Sequence, residues 1–173
     1  LSGQVVRYQR QSKPFSLEDA YLQELGRLIG HVMDGACTGE KILGVGISLP
    51  GIVDSEAGIL RYSHILDLRD VPLSLLSRCL PYPCRFINDA NAAGFAEIYG
   101  TPTAGNLIYL SLSNSVGGAI LTDGALYMGD HLRAGEFGHN TLVPGGRRCY
   151  CGKDGCLDAY CSARLLSDGA DGN

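Results

Sequence analysis

The chain predicts an α/β fold, and three observations carry that reading. A helical stretch with Leu22, Leu25, Ile29 and Val32 at helical spacing precedes the short apolar run Ile42 to Ser48. A second strand candidate, Arg85 to Ile87, runs directly into a helix start, the kind of junction at which α/β sheets present side chains to ligands. With a strand read at Gln4 to Gln11, the opening order is strand, helix, strand, as in a parallel unit.

Each element has its own warrant. Val5, Val6 and Tyr8 give Gln4 to Gln11 the composition of an edge strand. Ser16 and Asp19 are placed close to a capping box, and the helix they open is expected to run to Gly35. Ile42 to Ser48, bounded by Pro50-Gly51, reads as a strand buried on both faces. Leu66 to Val71 is ambiguous, whereas Pro72 followed by Leu73, Leu75, Leu76 and Leu80 suggests a helix with Pro at its first position. Asn88 and Asp89 can cap a helix through Phe95 and Ile98 to Gly100. Thr101 to Gly105 reads as a linker, which sets expected lobes of 1–104 and 105–173. Asn106 to Leu112 and Gly117 to Leu121 are strands around Ser113-Asn114-Ser115, and Asp123-Gly124 turns into a third at Ala125 to Tyr127. Gly129 to Arg148 is irregular, Leu157 to Ser167 is expected to be helical, and Ser167 to Asn173 is a loop or frayed end.

Composition narrows the function classes. The net charge of -4 with scattered Lys and Arg leaves no basic stripe for phosphates, so nucleic-acid contact would need another domain. No apolar run approaches a membrane span, and Leu1-Ser2-Gly3-Gln4 has no initiator Met or signal core. A cytoplasmic setting and a start cut from a longer chain are therefore expected. The 24 glycines, without a collagen period, indicate tight turns and close backbone approaches.

The seven cysteines divide into two sets. Cys37, Cys79, Cys84 and Cys161 lie among apolar residues as small core hydrophobes, and the odd total fits a reducing compartment. Cys149, Cys151 and Cys156 fall within eight residues, ten positions after His139, with Gly152 and Gly155 between them. Three thiolates and an imidazole are the donor set of a tetrahedral structural zinc. Cys149 and Cys151, with one residue between them, do not pair easily as a disulfide.

These residues also occur in a recognisable order. Gly44-Val45-Gly46-Ile47-Ser48-Leu49-Pro50-Gly51-Ile52-Val53-Asp54, Ile87-Asn88-Asp89-Ala90-Asn91, Val116-Gly117-Gly118-Ala119, Gly135-Glu136-Phe137-Gly138-His139 and the cysteine knuckle resemble the ROK family of repressors, open reading frames and kinases. The resemblance implies an actin-like ATPase (ribonuclease H-like) fold of two lobes with a sugar in the cleft. It implies Zn²⁺ on His139, Cys149, Cys151 and Cys156, and sugar contacts from Asn88, Asp89, Glu136, His139 and Asp158. Asp89 would be the base if the chain is a kinase, with Mg-ATP as donor. Bland roles compete: a helix cap for Asp89, a solvated carboxylate for Glu136, a helix-start charge for Asp158, where most members carry Glu.

Three departures separate regulator from kinase. The Asp-x-Gly-x-Thr phosphate loop has no counterpart before Gln4. The second phosphate loop reads Ser113-Asn114-Ser115-Val116-Gly117-Gly118, so Ser115, Gly117 and Gly118 form a degenerate version in which Ser115 crowds the nucleotide. The chain also stops soon after the knuckle, as a partial chain would. The expectation is the sugar-sensing region of a transcriptional regulator of NagC or xylose-repressor type, contacting DNA only through a domain outside this chain. The alternative is a piece of a glucokinase-type sugar kinase. Family members are commonly homodimers or higher homo-oligomers.

Overall fold

A computed structural model describes residues 4–34, 42–99, 105–163 and 165, and divides into two compact units, 1–87 and 88–173. The expected division at 104/105 adjoins residues 100–104, and Cys37 and the tail from 166 onward likewise lie outside the described residues.

In the first unit, residues 4–17 are irregular and not the expected strand. The β propensity of Val5, Val6 and Tyr8 is not enough without a partner, and these side chains are 73–78% exposed. Ser16 Oγ accepts the Glu18 N–H at 3.1 Å, and helix α1 follows at Asp19–Asp34 with Leu22 buried. Strand β1 (Val45–Leu49) is half-buried in alternation, not buried on both faces, and pairs with β5 (Cys84–Asn88).

Between these lies an antiparallel sheet of β2 (Ile52–Asp54), β3 (Ile59–Ser63) and β4 (Leu68–Pro72) in that order. Asp54 Oδ1 accepts the Ala57 N–H at 2.9 Å and closes the turn that Gly58 completes at φ 69°. Helix α2 (Leu73–Ser77) starts directly after Pro72, whose φ of -59° suits a helix start, and Leu73 N–H donates to Gly58 O at 2.9 Å. Leu49, Val53, Leu60, Leu73, Leu76 and Phe86 form one core cluster. Leu60 is fully buried, a contribution of roughly 2 kcal/mol from its side chain alone.

The second unit begins with helix α3 (Asp89–Ile98), which packs on an antiparallel sheet of β6 (Leu107–Leu112), β7 (Val116–Thr122) and β8 (Ala125–Leu126). Leu112 pairs with Val116, so only Ser113-Asn114-Ser115 separates β6 from β7. Asp123 and Gly124 both have positive φ, 51° and 75°, as a two-residue hairpin turn requires. Beyond β8 the described residues include a 3-10 turn, Phe137–His139, and a one-turn helix α4, Asp158–Cys161. The helix expected over Leu157 to Ser167 is interrupted at Ser162, which has extended backbone, φ -70° and ψ 143°, and residues 163 and 165 are helical again.

Candidate functional site

The amino terminus of α3 is capped by Asn88, not by Asp89. Asn88 Oδ1 accepts the Asn91 N–H at 3.0 Å, while its Nδ2 donates to Asp89 Oδ1 at 3.1 Å. That leaves Asp89 exposed in the first helical turn, its Oδ1 also accepting the Ala90 N–H at 2.9 Å. The helix start therefore presents an oriented carboxylate whose charge is favourable against the helix dipole.

β7 is the strand around which the other residues gather. Where Gly117 lacks a Cβ, Ala90 of α3 approaches, and where Gly118 lacks one, the Phe137 ring fills the space. Packing alone thus accounts for both glycines, independently of any phosphate. Gly138 lies hard against the Val116 carbonyl, so the 3-10 turn carrying Glu136 and His139 is pressed onto the first residues of β7. Gly138→Ala would drive a Cβ into that carbonyl, and a loss of about 1–3 kcal/mol is expected in urea unfolding.

Asp158 is the buried member of the set, 6% exposed, and its Oδ1 accepts the Val116 N–H. The carboxylate is thereby tied to the exit of the Ser113–Ser115 turn. That turn is closed on itself by Ser113 Oγ donating to Ser115 O at 3.0 Å, and it is held from α4's side by Ala163 N–H donating to Ser113 O at 2.7 Å.

Short backbone bridges assemble the knuckle. Thr141 pairs with Cys156 and Leu157 N–H donates to Asn140 O at 2.8 Å, which brings Cys156 beside the segment that follows His139. Arg148 pairs with Asp154 and Cys149 N–H donates to Lys153 O at 2.9 Å, and the intervening turn uses Gly152 at φ 90°, where a side chain would be strained. Lys153 Nζ donates to His139 O at 2.9 Å and ties the tip of the turn to the histidine.

The result is a four-residue cluster. One ligand atom each from His139, Cys149, Cys151 and Cys156 lies within 4.8 Å of the others. Cys149 Sγ is 3.7 Å from His139 Nδ1, and Cys151 Sγ is 3.6 Å from Cys156 Sγ. Zn–S bonds of about 2.3 Å and Zn–N bonds of about 2.0 Å in a tetrahedron place donor atoms about 3.5–3.8 Å apart, so these separations fit a metal of that size.

The three thiols differ in how readily they ionise. Burial pushes the Cys149 thiol up to about 12 and also raises Cys156. Cys151 is lowered: burial opposes ionisation there, but the Lys153 N–H and the neighbouring thiols outweigh it. Three thiolates together need a cation, and its binding releases protons.

His139 places Nδ1 beside Cys149 Sγ and Nε2 beside Tyr150. Tyr150 Oη is 3.4 Å from that Nε2, with the two rings edge-to-face at 5.2 Å, and Glu136 Oε2 is 4.0 Å from it. Burial, then the charges of Asp158, Cys149 and Glu136, push the Tyr150 phenol upward, so it keeps its proton. Tyr150 is the residue that motif reading passed over. Its place between two cysteines of the cluster was the available signal, because it shares their loop.

Glu136, His139, Asp158 and Tyr150 are thus drawn together near the start of β7, and Asp89 heads the helix whose Ala90 meets Gly117. Such a gathering of carboxylates, an imidazole nitrogen and a phenol can bind a polyhydroxylated ligand by paired hydrogen bonds. Among the described residues no helix is long and apolar enough to cross a membrane.

Comparison with known proteins gives relatives of two kinds. The chain is 35% identical over 151 residues to a glucokinase of Halalkalibacterium halodurans, covering 83% of this chain and 44% of that protein. It is 36% identical over 132 residues to the xylose repressor of Caldicellulosiruptor bescii, covering 75% of this chain and 33% of the repressor. The structure superposes on a ROK family transcriptional regulator, a homolog of the E. coli MLC protein, with TM-score 0.73 and 28% identity over 89% of this chain and 40% of the regulator. The chain therefore spans less than half the length of each, and kinase and repressor relatives are equally near. The ROK family model matches residues 2–171: the chain belongs to the ROK family and has the actin-like ATPase fold in part.

Proposed function

We propose that this chain is the sugar-sensing, effector-binding region of a ROK-family transcriptional regulator, with a hexose or related sugar bound beside a structural Zn²⁺. Zinc on His139, Cys149, Cys151 and Cys156 would supply charge that holds the knuckle and the His139 ring in place. Asn88, Asp89, Glu136, His139 and Asp158 are the sugar contacts, the carboxylates accepting from sugar hydroxyls and Asn88 able to donate or accept. DNA contact belongs to a domain outside these residues, and self-association as a homodimer or larger is part of the proposal.

The observation that carries regulator over kinase is the turn at Ser113-Asn114-Ser115. A phosphate loop works by aiming backbone N–H groups at phosphate oxygens. Here the Val116 N–H is already committed to the Asp158 carboxylate, and the turn is bonded to itself through Ser113 and Ser115. A buried negative charge at that position works against a second anion. Ser115, Gly117 and Gly118 are accordingly read as a degenerate phosphate loop.

The kinase reading has its own support in the 35% identity to a glucokinase. Under it Asp89 would take the proton of the attacking hydroxyl, with Mg-ATP as donor. A coupled ADP-release assay with glucose, N-acetylglucosamine, xylose and fructose separates the two. No turnover above the protein-free rate is expected, and sugar-dependent ADP release abolished by Asp89→Asn would establish the kinase instead.

A further inference from the structure

The residue between the first two knuckle cysteines has a place in the site that the zinc and sugar assignments leave unused. Tyr150 Oη lies 3.4 Å from His139 Nε2, closer than Glu136 Oε2 at 4.0 Å. The phenol ring also stands edge-to-face on the imidazole, at 78° between planes, so ring packing and the polar contact fix the same orientation.

The tautomer follows from position. Nδ1 is the nitrogen beside Cys149 Sγ, at 3.7 Å, and must be bare to ligate a metal. Nε2 then carries the proton and donates, and the Tyr150 oxygen is placed to accept. Histidines that bind metal through one nitrogen are held by an acceptor on the other, and loss of that acceptor weakens metal binding.

We propose that Tyr150 is the positioning residue of the metal centre: its phenol oxygen accepts the Nε2–H of His139 and so turns Nδ1 toward the three thiolates, and a bound sugar hydroxyl takes over that Nε2–H. The second half rests on the sugar reading given above. Tyr150 is 46% exposed, so its side chain has solvent on one side. Metal retention and ligand binding are then coupled through one nitrogen: without sugar the phenol holds the ring, and with sugar the ligand does.

Tyr150→Phe keeps the ring contact and removes only the acceptor. Competition with a chromogenic zinc chelator at fixed pH is expected to show zinc held about 10-fold more weakly than in wild type without sugar. Saturating sugar is expected to close most of that gap. Equal zinc affinity in variant and wild type without sugar overturns the positioning role. Weakened zinc that no sugar of the panel restores upholds the positioning role and overturns the exchange; wild-type calorimetry with the same sugars then tells a failed exchange from a failed sugar reading. A measurement on wild type needs no variant: the His139 Hε2 proton of the zinc-loaded protein should be resolved by nitrogen-15 NMR, protected from water. An Hε2 that exchanges as fast as in free imidazole overturns the proposal.

Discussion

Cys156→Ser is expected to empty the metal centre and to unfold the segment built around it. Cys156 is fully buried, its Sγ is 3.6 Å from Cys151 Sγ, and its backbone pairs with Thr141. A serine oxygen is a shorter, harder donor, and a structural site with three remaining ligands loses its closed tetrahedron. The bridges at Thr141 and Arg148 are too short to persist by themselves, so the loss reaches folding as well as metal content. Elemental analysis should fall from about one zinc per chain to almost none. At about 2–4 °C per kcal/mol for a chain of this size, a loss of several kcal/mol lowers the melting temperature by roughly 10 °C. Cys161→Ser, outside the cluster, should keep its zinc. A Cys156→Ser protein with full zinc and an unchanged melting temperature would remove the metal from the account.

Glu136→Ala and Asp89→Asn are expected to weaken sugar binding while leaving zinc in place. Neither carboxylate is a member of the metal cluster, and neither is buried, so folding should survive both changes. Asp89→Asn also removes a first-turn charge from α3, a cost of at most about 1 kcal/mol in stability. A hydrogen bond from a sugar hydroxyl to a charged carboxylate is worth about 1.5–3 kcal/mol, so each variant should lose about 10-fold or more in affinity. Titration calorimetry of zinc-loaded variants checks this. Affinities equal to wild type would take Glu136 and Asp89 out of the pocket.

Much of this was legible in the sequence because the chemistry is local. The knuckle spacing, the strand-to-helix junction at Asn88 and the β6–β7 hairpin around Ser113-Asn114-Ser115 each depend on residues close in the chain. The β2–β3–β4 sheet was not read, because its strands are three to five residues long and interleave apolar positions with Arg61, Arg69 and Asp70. Such short alternations fall below the length at which period two stands out. Gln4 to Gln11 failed in the opposite sense: its Val and Tyr content suits a strand, but strand formation needs a neighbour that composition does not reveal. The commitment of Asp158 to the Val116 N–H is a tertiary contact across 42 residues, which no local pattern encodes.

The most direct test of the central claim is calorimetry of the wild-type chain with glucose, N-acetylglucosamine, xylose and fructose, run on zinc-loaded protein and on the same protein stripped by chelator. One of these sugars should bind the zinc-loaded form saturably, and that binding should vanish on stripping and return when zinc is restored. Sugar binding of equal strength with and without zinc, or heats no larger than dilution for all four, would contradict a sugar pocket built on the His139 and cysteine cluster.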